Sequence, residues 1–345
     1  MTAPARGSEA LEPLASPKAG SPRSRILGTG SFLPDVTRSN AELEKLVDTN
    51  DAWIRERTGI RERRIAPDGM VTSDMAAEAA RRALAMAELS ASDLDLIVCA
   101  TVTPDMPMPA TAVFVQQKIG AKCASFDLSA ACAGFIFGMS IADQFIKGGA
   151  AKNVLVIGVE LLSRVVNWAD RTTCVLFGDG AGAAVIGPSA GDRGIIGTRI
   201  CSDGSLAESL MIPGGGSREP MDEARIRDRR NKVHMKGQDI FKAAVRNLYS
   251  ASQELVDACG VTNDQVDWVV PHQANMRIID QVTARANYPK EKVLSNIERV
   301  GNTSSASIPI LLDERVKDGT VKPNDLVLMC ALGAGVSWGS ALVRM

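Results

Sequence analysis

Three residues in this chain stand out by type and setting: Cys132, His272 and Asn302. Cys132 lies in "SAACAGF" at 129–135, among small residues where a strand hands over to a helix. The run that follows, "FIFGMSIADQFI", is apolar almost all round for two turns, the mark of a buried helix. A cysteine at the start of such a helix feels its positive end, which favours the thiolate. Ala130, Ala131, Ala133 and Gly134 leave space beside it for an acyl group. The same residues also allow an inert core thiol. His272, in "VVPHQANMRI", falls just past a buried strand, and α/β sheets bind ligands beyond the carboxyl ends of their strands. Pro271 withdraws a backbone donor and helps end that strand. The polar run His272-Gln273-Ala274-Asn275 reads as a functional edge rather than a core, whereas His234 reads as a surface residue beside a charged stretch. Asn302, in "RVGNTSSASIP", could simply serve a turn after Gly301. Its interest is that this turn answers the Cys132 turn in the other half of the chain.

The elements that must position these residues alternate. Patterning predicts helices over 73–89, 110–119 and from Cys132 to 147, the last ending at Gly148-Gly149. Strands are expected over 94–100, 124–128 and 153–158. The second half repeats the order at an offset of about 170 residues, with a strand over 266–270. The expected fold is α/β, two duplicated βαβαβ halves related by a pseudo-twofold, with a site at their junction. The divisions expected are a disordered tail at 1–24, a nucleophile half at 25–195 and a second half at 196–345. Within the second, 214–233 is a charged excursion, either a flap beside the site or a plain surface loop.

Composition narrows the function. With 345 residues, 45% hydrophobic and 23% charged, the chain reads as an ordinary globular protein able to bury a large core. A formal net charge of −1 gives no field for nucleic acid, so an acidic partner needs a local patch. No apolar run approaches the roughly 20 residues that cross a bilayer, so no membrane role is expected. Cysteines 99, 123, 132, 174, 201, 259 and 330 are odd in number and contain no CxxC pair. That disfavours a disulfide framework or a zinc site and fits a reducing, cytoplasmic compartment. The glycine clusters "FGDGAGAAV" and "LGAGVSWG" lack a P-loop's Lys-Ser/Thr and are read as close backbone approaches.

Taken together, "DTNDAWIRERTGIRERRIA", "AACAGF", "FGDGAGAAV", "VPHQANMRI", "GNTSSASIP" and "GAGVSWGSALVRM" make the chain resemble the 3-oxoacyl-[acyl-carrier-protein] synthase III family of condensing enzymes, from about Arg25 to the end. The resemblance implies a thiolase-like, five-layered αβαβα fold and a homodimer. It implies that a short acyl group, acetyl in this family's pattern, passes from coenzyme A to Cys132. Malonyl-[acyl-carrier protein] then loses carbon dioxide, and its enolate attacks the acyl-cysteine to give a 3-oxoacyl carrier protein. His272 and Asn302 would stabilise the enolate, and the backbone amides of Cys132 and Ala334 the acyl oxyanion, each donor worth roughly 2.7–4 kcal/mol. Where the family has Gly-Gly-Gly, this chain has Gly333-Ala334-Gly335, so any positive φ at Ala334 would be strained. Trp53, Arg57, Arg171 and Asn275 are implied in coenzyme A binding, and Lys242, Arg277 and Arg285 in docking the acidic carrier protein. Met108 would reach the acyl-pocket floor across the dimer, where a yielding methionine loosens chain-length control. No resident cofactor and no metal are implied.

Other readings are weaker on the residues. An elongating condensing enzyme needs a second histidine where Asn302 stands, and a biosynthetic thiolase a second cysteine nearer the last glycine loop than Cys330. A polyketide-type relative with a different starter, a non-catalytic partner subunit and a cysteine hydrolase are the remaining alternatives.

Overall fold

The computed structural model describes residues 23–345. Strand β1 (Arg23–Phe32) opens the fold. Two of its residues lie within the expected tail, which is corrected there: Ser24 is buried and its hydroxyl donates to Asp143 at 2.7 Å. The rest of that tail lies outside the described residues. A short helix α1 (Asp51–Thr58) follows, begun by Asn50, whose side chain accepts from the Trp53 amide, and ended at Gly59 with φ +79°. Helix α2 (Thr72–Met86) buries Met75, Ala76, Ala79, Ala80 and Ala83 on one face. These small residues let β1 lie directly on the helix. A Cβ on Gly30 would stand 2.3 Å from the Ala79 carbonyl oxygen.

The first sheet is completed by β2 (Leu96–Ala100), β3 (Ala124–Leu128), β4 (Val154–Glu160) and β5 (Gly180–Ser189), in the order β1-β5-β4-β2-β3. The second contains β6 (Gly194–Ser202), β7 (Trp268–Pro271), β8 (Leu326–Gly333) and β9 (Ser337–Arg344), in the order β7-β8-β9-β6. β6 pairs with β9, so the second half begins at Gly194 rather than at 196. Val293 bridges in parallel to Val269, filling the place that β3 holds in the first sheet. The two strand orders are therefore the same, as duplication requires.

Helices α2 and α3 (Thr111–Ile119) pack through one core cluster with the first sheet's outer face. Helices α5 (Gly237–Ala258) and α6 (Met276–Arg285) cover the second sheet. Between the sheets lie α4 (Gly134–Lys147) and α7 (Ser307–Lys317), whose Phe135, Ile136, Met139, Ile308, Leu311 and Leu312 meet side chains of both. Full burial of one such side chain is worth about 1.5–3 kcal/mol. The layers are thus αβαβα. The central helices also match in detail: Asp143–Lys147 in α4 and Asp313–Lys317 in α7 are both i,i+4 ion pairs. Each is preceded by a 3₁₀ turn, Ala131–Ala133 and Ser304–Ala306, entered by a non-glycine residue of positive φ, Ala131 at +46° and Ser304 at +51°.

Candidate active site

The ends of both central helices and of β7 open into a cavity of about 630 Å³. Cys132, His272 and Asn302 line it together, with Trp53, Arg57, Arg171, Lys242, Asn275 and Arg277.

Cys132 sits inside the 3₁₀ turn rather than in α4 itself, which starts two residues later. The expectation that the helix end holds it as thiolate is corrected. Burial pushes the thiol up to about 12, against which a hydrogen bond from the Ser304 side chain pulls down. The resting group is a neutral thiol. By turn geometry its counterpart is Ser305, since Ala131 matches Ser304; Asn302 lies earlier in the answering turn.

His272 continues β7, its amide donating to the Cys330 carbonyl at 2.8 Å. Its Nδ1 lies 2.6 Å from Ser307 Oγ, which also accepts from the Gln273 amide at 3.3 Å. With Ser307 Oγ assigned as the donor to Nδ1, the imidazole carries its proton on Nε2. Burial holds His272 down at about 3, so the ring is neutral and Nε2–H is a fixed donor. Asn302 is oriented likewise. Its Oδ1 accepts from the Ser304 amide at 2.9 Å and its Nδ2 donates to the Ala274 carbonyl at 3.5 Å, which leaves one Nδ2 proton as the remaining donor. Its backbone is clamped by Leu176 and Gly178 at 2.8 and 3.0 Å. This is the job of the "FGDG" run. A Cβ on Gly178 would stand 2.4 Å from the Val300 carbonyl oxygen, and buried Asp179 ties the loop to the Ala66 and Ser163 amides.

At the other end of the cavity, Arg57 and Arg171 lie over the Trp53 ring at 4.9 and 5.4 Å, an aromatic face backed by cations. Asn275 caps α6 by accepting from the Arg277 amide at 2.9 Å, which leaves its side-chain amide nitrogen as a donor for a ligand. Arg285 does not line the cavity; it stacks on Tyr249 at 4.4 Å. Met108 is 83% exposed and lines neither this cavity nor the next.

Beyond Cys132 lies a second, apolar compartment of about 230 Å³, lined among others by Val102, Leu162, Phe177, Leu210, Ile212 and Val233. Sequence reading missed it because these residues come from separate loops. Two of them are roots of the charged excursion, held by the pairing of Leu210–Met211 with His234–Met235. Ala334 borders this compartment and has no positive φ, whereas Gly335 has +130°, so the alanine sits without strain. A Cβ on Gly333 would stand 2.5 Å from the Cys132 amide nitrogen. Among the described residues no group of three or more His, Cys, Asp or Glu converges as metal ligands would. A thiol beside fixed neutral donors, with an apolar chamber behind and a cationic mouth before it, can accept an acyl group and stabilise an oxyanion.

Comparison with known proteins bears on this geometry. Residues 126–204 match the family described as 3-oxoacyl-[acyl-carrier-protein (ACP)] synthase III, and residues 256–345 match its C-terminal part. The beta-ketoacyl-[acyl-carrier-protein] synthase III of Caldanaerobacter subterraneus subsp. tengcongensis is 48% identical over 320 residues, spanning 92% of this chain and 97% of that protein. Its counterpart from Thiobacillus denitrificans is 50% identical over 326 residues, spanning 93% and 99%. The crystal structure of 3-oxoacyl-[acyl-carrier-protein] synthase III from Aquifex aeolicus superposes with a TM-score of 0.86 at 49% identity, covering 93% of this chain and all of that one.

Proposed function

We infer the reaction of this chain from one premise: it belongs to the beta-ketoacyl-[acyl-carrier-protein] synthase III family. It has the family's thiolase-like fold and is a condensing acyltransferase. It joins a short acyl group from coenzyme A to malonyl-[acyl-carrier protein] with loss of carbon dioxide, the step that initiates fatty acid synthesis. Near-half identity over almost the whole chain to proteins of that name favours this reaction over a polyketide one.

On our reading Cys132 is the acyl acceptor. Its attack on acyl-coenzyme A exchanges one thioester for another, so the acyl group stays activated. The acyl oxyanion is met by the amides of Cys132 and Ala334. Malonyl carrier protein then enters by the same cavity and loses carbon dioxide. The enolate oxygen is received by His272 Nε2–H and Asn302 Nδ2–H, both already aimed and needing no reorganisation. Trp53, Arg57, Arg171 and Asn275 hold coenzyme A, and Lys242, Arg277 and Arg285 offer the carrier protein a basic approach. The observation that carries the reading is the convergence of Cys132, His272 and Asn302 on one cavity with the Trp53 platform at its other end. Radiolabelled acetyl-CoA is expected to leave a stable label on Cys132, released as acetoacetyl carrier protein only on adding malonyl carrier protein. Release by water alone would make the protein a hydrolase.

The reaction needs no resident cofactor or metal, and its substrates fit a cytoplasmic enzyme; among the described residues no helix is long and apolar enough to cross a membrane. A homodimer is supported by β3, whose outer edge has no partner among the described residues and which exposes Phe126, and by the exposed Met106 and Met108. Sedimentation giving a monomer at micromolar concentration would remove that part. The starter group follows from the apolar compartment. About 230 Å³ compares with roughly 30 Å³ for one water, far more than an acetyl methyl fills. Straight or branched acyl-CoAs of about four to six carbons are therefore expected to acylate Cys132 within roughly tenfold of acetyl-CoA, each buried methylene offsetting about 0.8 kcal/mol. Strict acetyl preference in an intact-mass competition would refute this.

A further inference from the structure

Arg63 is the bulkiest side chain fully enclosed among the described residues. It lies in a short strand, Glu62–Arg64, paired antiparallel with Thr37–Ser39. Its guanidinium donates to neutral acceptors alone: Nη1 to the Arg38 carbonyl at 2.8 Å, and Nη2 to Asn40 Oδ1 and the Val175 carbonyl, both at 2.9 Å. Its Nε is buried with no partner among the described residues. Burial lowers the guanidinium to about 10, so it remains charged at neutral pH. A cation enclosed without a hydrogen-bonded carboxylate is costly, and an apolar side chain of similar length would fill the space without that penalty. It would, however, take away the donor that Asn40 Oδ1 and the Val175 carbonyl share.

What the side chain holds is the clamp on Asn302. The Val175 carbonyl opens the segment whose Leu176 carbonyl accepts from the Asn302 amide at 2.8 Å and whose Gly178 amide donates to the Asn302 carbonyl at 3.0 Å. Both sides of this clamp rest on the stem of the arginine. A Cβ on Gly178 or on Gly301 would stand 3.1 Å from Arg63 Cβ, and Gly301, at φ +69°, immediately precedes Asn302. The head is anchored in turn, since buried Asn40 donates from Nδ2 to the Ile60 carbonyl at 2.8 Å and to Asp51 Oδ1 at 2.9 Å. None of the Arg63 hydrogen bonds goes to the turn that carries Cys132 or to Ser307, which fixes His272.

We propose that Arg63 is a positioning residue for decarboxylation: by holding the Val175–Gly178 segment it fixes the Asn302 backbone and so aims the Asn302 amide at the enolate oxygen. The proposal rests on the condensing-enzyme reading above. No bond is made or broken at the guanidinium; its effect is geometric. The Oδ1 bond to the Ser304 amide sets the Asn302 side chain relative to its own turn. Arg63 sets that turn relative to the other half of the molecule, from which Val175 and Gly178 come. A donor stabilises developing charge only while distance and angle hold, and a hydrogen bond weakens steeply once misaligned. Lysine does not substitute, because one ammonium lacks the planar fork that serves acceptors in three directions.

The test separates the two half-reactions in the full chain. Decarboxylation of malonyl carrier protein is followed by carbon dioxide release, and acetylation of Cys132 by intact mass at saturating acetyl-CoA. The variants are Arg63→Met, Arg63→Lys, Asn302→Ala, and Arg63→Met with Asn302→Ala. Arg63→Met should slow decarboxylation about 30-fold and leave acetylation within about threefold. Arg63→Lys, which keeps the charge, should still slow decarboxylation about tenfold. Since the arginine acts through Asn302, the double variant should decarboxylate no more slowly than Asn302→Ala alone. Unchanged decarboxylation in Arg63→Met, equal losses in both half-reactions, or effects that multiply in the double variant would each overturn the proposal. Should Arg63→Met fail to fold, Arg63→Lys decides alone: decarboxylation at the unaltered rate, or acetylation falling in step with it, refutes the positioning role. Failure of the condensing reading is distinct, because it would show in the unaltered protein as neither acetylated Cys132 nor carbon dioxide.

Discussion

Replacing Cys132 by alanine is expected to abolish acyl transfer, by roughly 10³-fold or more, while leaving malonyl carrier protein decarboxylation measurable. On the proposed reading the two half-reactions use different atoms. The sulfur takes the acyl group, whereas the enolate oxygen is met by His272 and Asn302, which the substitution does not touch. Their donors are held by partners outside the cysteine turn. Ser307 fixes His272, and the loop at Leu176–Gly178 clamps the Asn302 backbone. The alanine variant should therefore still release carbon dioxide from malonyl carrier protein, with no acyl adduct by mass. A Cys132→Ala protein that still transfers acetyl would remove the cysteine from the mechanism. One that neither transfers nor decarboxylates, with its melting temperature unchanged, would mean that the sulfur takes part in both steps.

Much of the site could be read from the residues because duplication makes strand ends fall at equivalent places. Cys132 follows the strand expected and observed at Ala124–Leu128, whereas the strand expected over 266–270 is observed at Trp268–Pro271, with Pro271 paired inside it rather than ending it. What could not be read was the balance of energies around the thiol. A helix start favours thiolate by a local effect visible in the letters, whereas burial depends on residues far apart in sequence, and burial prevails. The apolar compartment was hidden for a similar reason, its walls coming from Val102, Leu162, Leu210 and Val233 in four separate segments. The buried Glu160 was hidden too. It lies beyond the strand expected over 153–158, and the packing of the opposite half over Gly158 encloses it.

Gly333→Ala is expected to cost the enzyme both stability and about 10²–10³-fold in acyl transfer, although it adds one methyl group. The reason lies in what that methyl meets. It would stand 2.5 Å from the Cys132 amide nitrogen, 2.9 Å from Ala131 Cβ and 3.1 Å from the Ala130 carbonyl oxygen. The two closest positions belong to the turn that carries the nucleophile, and Ala131 there is already at φ +46° with little freedom to give way. Either β8 retreats or the cysteine turn does, and each displaces the Cys132 amide from the oxyanion it is proposed to receive. Overpacking of this kind costs about 1–3 kcal/mol, a fall of several degrees in melting temperature for a chain of this size. The neighbouring Ala334→Gly is the control. It restores the family's glycine at a residue without positive φ, so it should change acyl transfer less than threefold. The pair separates two explanations of the glycine loop. If the loop needs flexibility, Ala334→Gly should accelerate transfer and Gly333→Ala should act mildly. If it needs closeness between β8 and the cysteine turn, the whole effect falls at Gly333, and kcat drops with little change in KM because the lost contact matters only once the oxyanion has formed.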